Sequence, residues 1–307
     1  MSFEEIATRA RKALVIGIGG GGDIIGCIPT ARYLSFLGVE VILGGLTWER
    51  RVVDPKPGPR RIDELENCTP ICTAMALANS RTKTSYGTPL TESVASEVLG
   101  EEVVLLDING GAIATAEALR CAIEKLGIDM VVGIDVGGDS LAKGDERGVQ
   151  SPLADGIMLA ALAKLPVPSL LGVIGYGSDG ELTIEELHRN VAALIEKGAL
   201  LGARGATRED LEIMEKIASA TATEASKLVV EAGKGRYGAY KIRKDSRSVY
   251  LTPCALVTFY FSSKHVFEFS RIAQLIAYTE SLKEADEILR SHGYLTELYF
   301  EEGDAKI

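Results

Sequence analysis

The sequence predicts a doubly wound α/β fold of Rossmann-like type, with a mostly parallel sheet, late strands and a C-terminal helical extension. Three observations lead there. Short apolar, β-branched runs recur along the chain, segments of helical periodicity lie between them, and glycine-rich loops follow several of the runs. Strands alternating with helices are joined by right-handed crossovers, which produce a parallel sheet covered on both faces.

The runs at 13–18, 39–43, 103–108, 130–136 and 169–174 are continuously apolar, as strands buried on both faces are. A weaker strand is expected near 73–78. Helices are expected at 23–37, 112–126 and 153–165. In the second of these Ile113, Ala116, Leu119, Ile123 and Leu126 recur at helical spacing, and Gly127 supplies the stop. Beyond residue 183 the character changes. Thr183 with Glu186 and Ser281 with Glu284 have capping-box spacing, and Thr207 opens a helix running toward Gly233. Residues 248–261, rich in Val, Tyr, Thr and Phe, read as one or two late strands. No Pro/Ser linker and no internal repeat divides the chain. Residues 1–307 therefore read as a single α/β domain, with 183–307 as its more helical C-terminal extension.

The 33 Lys+Arg stand against 43 Asp+Glu, a net charge of −10, which argues against nonspecific nucleic-acid binding. The five cysteines have no zinc-ligand spacing, and their odd number favours a reducing compartment. Residues 1–12 carry acids and no apolar signal core, and no run of about 18 apolar residues offers a membrane span. A cytoplasmic protein is expected, without membrane or nucleic-acid partners. Self-association into a homo-oligomer is compatible with its size and composition.

The chemistry concentrates in glycine loops. Gly17-Ile18-Gly19-Gly20-Gly21-Gly22-Asp23-Ile24-Ile25-Gly26 follows the first strand and precedes a helix, so backbone amides of Gly19, Gly20, Gly21 and Gly22, with Asp23 beside them, form a candidate anion cradle. NAD is disfavoured, because the next strand ends in Leu43-Gly44-Gly45 with no acid for a ribose until Glu49. A tight turn needed only for packing is the structural alternative. Asp107-Ile108-Asn109-Gly110-Gly111 and Gly133-Ile134-Asp135-Val136-Gly137-Gly138-Asp139-Ser140 lie at further strand ends, which share one edge of a parallel sheet. Asp135 and Asp139 are the candidate catalytic residues and candidate ligands of a metal, Mg²⁺ by the hardness of their oxygens. Without a metal, one acid of raised pKa serves as general acid/base. Asp107, Asn109 and Gly110 are expected to orient a ligand, and Gly137 and Gly138 to let it approach. Asp145 or Glu146 could join them, whereas Ser151 and Asp155 could be helix caps alone. In Gly175-Tyr176-Gly177-Ser178-Asp179-Gly180-Glu181, Tyr176 is expected to stack on a ligand and Ser178 to donate a hydrogen bond, the alternative being a turn before the Thr183 cap.

His188, His265 and His292 have no Cys or Asp partner at a ligand spacing. Cys27 reads as a small packing residue more than as a thiolate. Arg50-Arg51 and Arg60-Arg61 flank a proline-rich loop that is either a lid with anion-binding arginines or a solvated loop. The basic stretch of Lys234, Arg236, Lys241, Arg243 and Lys244 reads as a solvated face, the alternative being a reach to an anionic substrate or a neighbouring subunit.

Together the segments at 17–26, 107–111 and 133–140 resemble a mainly archaeal family, domain of unknown function 1152, over most of the chain. The resemblance implies a Rossmann-like fold and carries no established activity. More locally, residues 133–144 are similar to a segment of D-glutamate cyclases. Gly137 and Gly138 match its paired glycines, while Asp139 stands where that motif has Asn and Ser140 where it has Glu. The functional expectation is an enzyme of lyase, cyclase or hydrolase type acting on a small phosphorylated or carboxylate metabolite. The alternative is a nucleotide- or metabolite-binding regulator without catalysis.

Overall fold

The computed structural model describes residues 1–303. In chain order its strands are β1 (Lys12–Gly17), β2 (Glu40–Leu46), β3 (Leu65–Cys72), β4 (Met75–Thr84), β5 (Val103–Leu106), β6 (Met130–Val136), β7 (Ser169–Ile174), β8 (Leu200–Gly205), β9 (Gly238–Ile242), β10 (Arg247–Leu251) and β11 (Val257–Ser262). Nine of them make one sheet in the order β3-β4-β5-β2-β1-β6-β7-β11-β8, and β9 and β10 form a separate hairpin. The five central strands pair in parallel. β4 and β11 run against them, so seven of the nine strands share one direction.

Side chains alternate across a strand, so one apolar run feeds two cores. Leu14 and Ile16 enter a core with the helices Gly111–Leu126 and Pro152–Leu162. Ala13 and Val15 enter the opposite core with the helices Cys27–Phe36, Thr91–Leu99, Arg208–Ser219 and Ala225–Gly233. Each face is covered, as a doubly wound sheet requires.

All five strong strand expectations have their counterparts in β1, β2, β5, β6 and β7. The structure adds β3, β8 and β9. β3 and β8 are the two sheet edges and stay partly in water, so neither carries the continuous apolar signature of a buried strand. The weak strand near 73–78 is the start of the longer β4, and the late-strand segment divides into β10 and β11 around the turn Pro253–Leu256. The helix expected from Thr207 to Gly233 is two helices. Thr221 turns its hydroxyl back to the Ile217 and Ala218 carbonyls, and 220–224 form the break. The helix expected over 23–37 begins with a 3₁₀ turn, Asp23–Gly26, before the α-helix Cys27–Phe36. Thr183 and Glu186 close their capping box. Ser281 accepts from the Glu284 amide at 3.1 Å, but the Glu284 carboxylate turns to the Glu280 amide instead.

The C-terminal third is thus only partly a helical extension, since β8 and β11 complete the central sheet. Its last helix, Glu297–Glu302, returns to the edge of the sheet where the parallel strands end. Among the described residues no helix is long and apolar enough to cross a membrane.

Candidate functional site

From β1 the chain crosses to β2 on one side, and from β6 to β7 on the other, so the loops after β1 and β6 diverge. Such a switch point opens a crevice at the carboxyl ends of the strands. Here it becomes a cavity of about 510 Å³, ample for a metabolite of nucleotide size. Its floor comes from the loops after β1, β6 and β7. Trp48 to Val52 after β2, the helix break at 222–225, the β9–β10 hairpin and the final helix complete the wall.

Charge in the cavity is segregated. Among the described residues, ten carboxylates and five basic side chains line it. Asp23, Asp135, Asp139, Asp155 and Asp179 form the floor, and none makes an ion pair with a basic side chain among the described residues. Arg50, Arg243, Lys244 and Arg247 stand on the wall. Glu224 bridges Arg50, at 3.1 Å, and Arg243, at 3.6 Å. The hairpin tip aims its bases through a strained turn: Arg243, Lys244 and Asp245 have φ of 53°, 53° and 70°, a region that non-glycine residues enter at a cost of about 1–3 kcal/mol each. Burial, with Arg50 and Arg247 nearby, brings the Arg243 guanidinium down to about 10.

The floor acids are held unevenly. Asp135, at the end of β6, accepts the hydroxyl of Ser140 and its amide at 3.3 Å. Burial pushes it up to about 6 despite those bonds. Asp179 accepts the Glu181 amide at 2.7 Å and the Asp139 amide at 3.3 Å, yet burial and then the Glu181 charge push it up to about 8. Asp23 accepts the Gly19 amide at 2.9 Å, and burial followed by the Asp135 charge raises it well above the usual carboxylate range. Burial and then Asp155 raise Asp139 in the same way. Asp155 is the extreme case. It is 6% exposed, its Oδ1 has no hydrogen-bond partner, and burial followed by the Asp135 charge raises it strongly.

Glu181 behaves oppositely. Burial would raise it, but Arg247 at 2.8 Å, the Ser151 hydroxyl and the amides of Gln150 and Ser151 hold it below the ordinary value. Arg247 also reaches Gln150 Oε1 at 2.6 Å, so one buried ion pair ties the hairpin to the floor. Glu297 accepts the Leu153 and Ala154 amides at 2.9 Å, capping the helix that carries Asp155; burial nevertheless lifts it to about 8. Glu301 accepts from Trp48 Nε1 at 3.1 Å and from the Gly58 amide at 2.8 Å.

Of the residues singled out from sequence, Asp135, Asp139, Asp23, Gly19, Gly20 and Gly21 line the cavity, and Gly22 lies behind it against Thr223. The amide cradle is partly spent: Gly19 donates to Asp23 and Gly21 to the Trp48 carbonyl at 2.8 Å. Gly19 has another use, since a Cβ there would meet Asp23 Oδ2 at 2.8 Å and Asp155 Oδ1 at 3.7 Å. Asp107, Asn109 and Gly110 are not at the cavity. β2 separates β5 from β1, and Asp107 holds the Asn109 amide at 2.8 Å while Asn109 Nδ2 donates to the Pro59 carbonyl at 3.1 Å. Gly110 is the N-cap of the helix Gly111–Leu126. Gly137 and Gly138 sit behind the floor, their φ of 146° and 118° swinging the chain from β6 to Asp139. Tyr176 is core, stacked on His188 at 5.7 Å between centroids, and Ser178 is wholly buried away from the cavity. Asp145 is exposed, and Glu146 accepts the Lys143 and Gly144 amides.

Arg50 and Arg51 reach the cavity, whereas Arg60 is buried within the proline-rich loop, 3.2 Å from Asp54. The basic stretch divides likewise: Lys234 pairs with Glu215 and Glu231, while Arg243 and Lys244 line the cavity. Sequence reasoning passed over Arg247, Glu297 and Glu301, and read Asp155 as a cap. The sequence did hold a signal for Asp155, the only charged residue in the otherwise apolar helix Pro152–Leu162.

A family model described as protein of unknown function (DUF1152) matches residues 14–305. No curated protein and no solved structure matches the chain. The family match carries neither an archaeal origin nor a cyclase activity, so the local likeness to D-glutamate cyclases gains no support from it.

Proposed function

The chain belongs to the DUF1152 family, whose description carries no activity, and we propose from the cavity itself that it is a cation-dependent hydrolase of a small phosphorylated metabolite. One observation carries the reading: a floor of five aspartates, none of them in an ion pair among the described residues, faces a wall of arginines. Carboxylates without partners are costly to bury, and a hard divalent cation removes that cost. An anionic ligand entering between ten carboxylates would otherwise be repelled. With a cation on the floor, a phosphate has positive charge on both sides, the ion below and Arg243, Lys244 and Arg247 on the wall.

In the hydrolysis so proposed, a water oxygen forms a bond to phosphorus and the ester P–O bond breaks. The water gives one proton to a floor carboxylate, which passes it to the departing oxygen, leaving an alcohol and phosphate. A cation supplies Lewis acidity to the phosphoryl oxygens. Asp135 and Asp139 would hold it, with Ser140 fixing the orientation of Asp135. Mg²⁺ is the ion proposed.

Thermal unfolding of the metal-stripped protein tests the first half. Mg²⁺ or Mn²⁺ should raise the midpoint in wild type and raise it less in Asp139→Ala. A panel of sugar phosphates and nucleotides tests the second by phosphate release. Absence of any cation response would overturn the reading. A phosphorylated compound bound tightly and recovered unchanged would point to a binding protein in place of an enzyme.

A further inference from the structure

We propose that the floor binds two divalent cations sharing Asp135, one among Asp23, Asp135 and Asp155 and the other among Asp135, Asp139 and Asp179. This deepens the cation-dependent reading above and rests on it. In each trio, one carboxylate oxygen from every residue lies within 4.8 Å of the others, a spacing compatible with joint ligation of one ion. Asp135 belongs to both trios because it stands at the end of β6, between the loop after β1 and the loop after β7. Ser140 fixes it there through two hydrogen bonds.

The second, independent observation is Asp155. Its Oδ1 is buried and has no partner, and the residue lines the cavity from a helix otherwise buried and apolar. No hydrogen-bond donor and no basic side chain among the described residues answers this oxygen, which leaves a cation as the group that would. Charge balance argues for two ions over one. With every carboxylate ionised, the described lining has five more carboxylates than basic side chains, and two divalent ions, which bind the ionised form, supply four positive charges. Paired ions bridged by a carboxylate clamp both the attacking and the leaving oxygen of a phosphoester. The substrate class is therefore a phosphate ester whose outer oxygens face Arg243 and Lys244.

The test is Mn²⁺ titration of the metal-stripped full chain, by calorimetry for stoichiometry and by electron paramagnetic resonance for coupling. Two Mn²⁺ per wild-type chain with an exchange-coupled spectrum is the expected result. Asp155→Asn and Asp179→Asn should each leave one, with the uncoupled six-line signal, while near-ultraviolet circular dichroism remains that of wild type. One Mn²⁺ per wild-type chain overturns this inference and leaves the single-cation reading standing. No Mn²⁺ overturns both. The wild-type stoichiometry decides even if a variant fails to fold.

Discussion

Replacing Asp155 with asparagine should stabilise the cation-free protein and yet leave it less stable than wild type once Mg²⁺ is saturating. The side chain is 6% exposed, and its Oδ1 lacks a partner while Asp135, Asp23 and Glu297 press on it with like charge. Asparagine preserves the volume and removes the charge. An unsatisfied buried charge costs more than the roughly 1–3 kcal/mol of a neutral polar group. Asparagine leaves the oxygen unsatisfied but keeps only the neutral part of that cost, so a gain of about 2 kcal/mol is expected. At roughly 2 °C per kcal/mol for a chain of this size, the midpoint should rise by about 4 °C in chelator at pH 8. Mg²⁺ at roughly 100 times its Kd adds about 2.7 kcal/mol to wild type through mass action, and the variant forfeits the share due to the ion that Asp155 holds. The order of the two midpoints then reverses. The pH dependence has a definite sign. A carboxyl raised in the folded state stabilises the protein at low pH and loses that contribution as pH rises through its folded value, so the variant's advantage should grow between pH 5 and pH 8. Scanning calorimetry of both proteins, with chelator and with Mg²⁺, measures all of this. A variant that melts below wild type in chelator at pH 8 would refute the argument, because Asp155 would then be making a favourable contact in the cation-free state.

In chelator, wild type should lose stability between about pH 5 and pH 9. Asp135 is held up at about 6 and Asp179 and Glu297 at about 8, so their contributions are complete below about pH 4 and vanish as pH passes those values; a midpoint rising over that range would contradict the account. Arg247→Met should destabilise the fold by about 3–5 kcal/mol, the range for stranding a buried charge, because the Glu181 side chain it pairs with is 0% exposed. Urea unfolding checks this, and adding Glu181→Gln should recover much of the loss. Glu297→Ala should cost about 1–3 kcal/mol by freeing the Leu153 and Ala154 amides, and limited proteolysis should then cut the last helix faster than in wild type. Gly137→Ala should disturb Asp179, since a Cβ at this φ of 146° would run into its carboxylate; Mn²⁺ stoichiometry should fall from two to one, and an unchanged value would count against Asp179 as a ligand.

The elements buried on both sides were legible in the local sequence. β1, β2, β5, β6 and β7 are continuous apolar runs because each lies between two cores, and that requirement is written locally. The glycine and aspartate pairs after β1 and β6 were legible for the same reason, as the chain must turn sharply at the switch point and only certain residues allow it. Edge strands β3 and β8 face water and need no apolar continuity, so no local signal marks them. The cavity wall was beyond local reading altogether. Arg247 meets Glu181 across 66 residues and Glu297 meets Leu153 across 144. A lone arginine or glutamate reads as solvated wherever it stands in a sequence. Only tertiary folding decides whether it is taken out of water, and burial is what gives its charge a partner and a role. Asp155 lies between these cases: its apolar helix announces that the acid is buried, but only the fold places it beside Asp23 and Asp135.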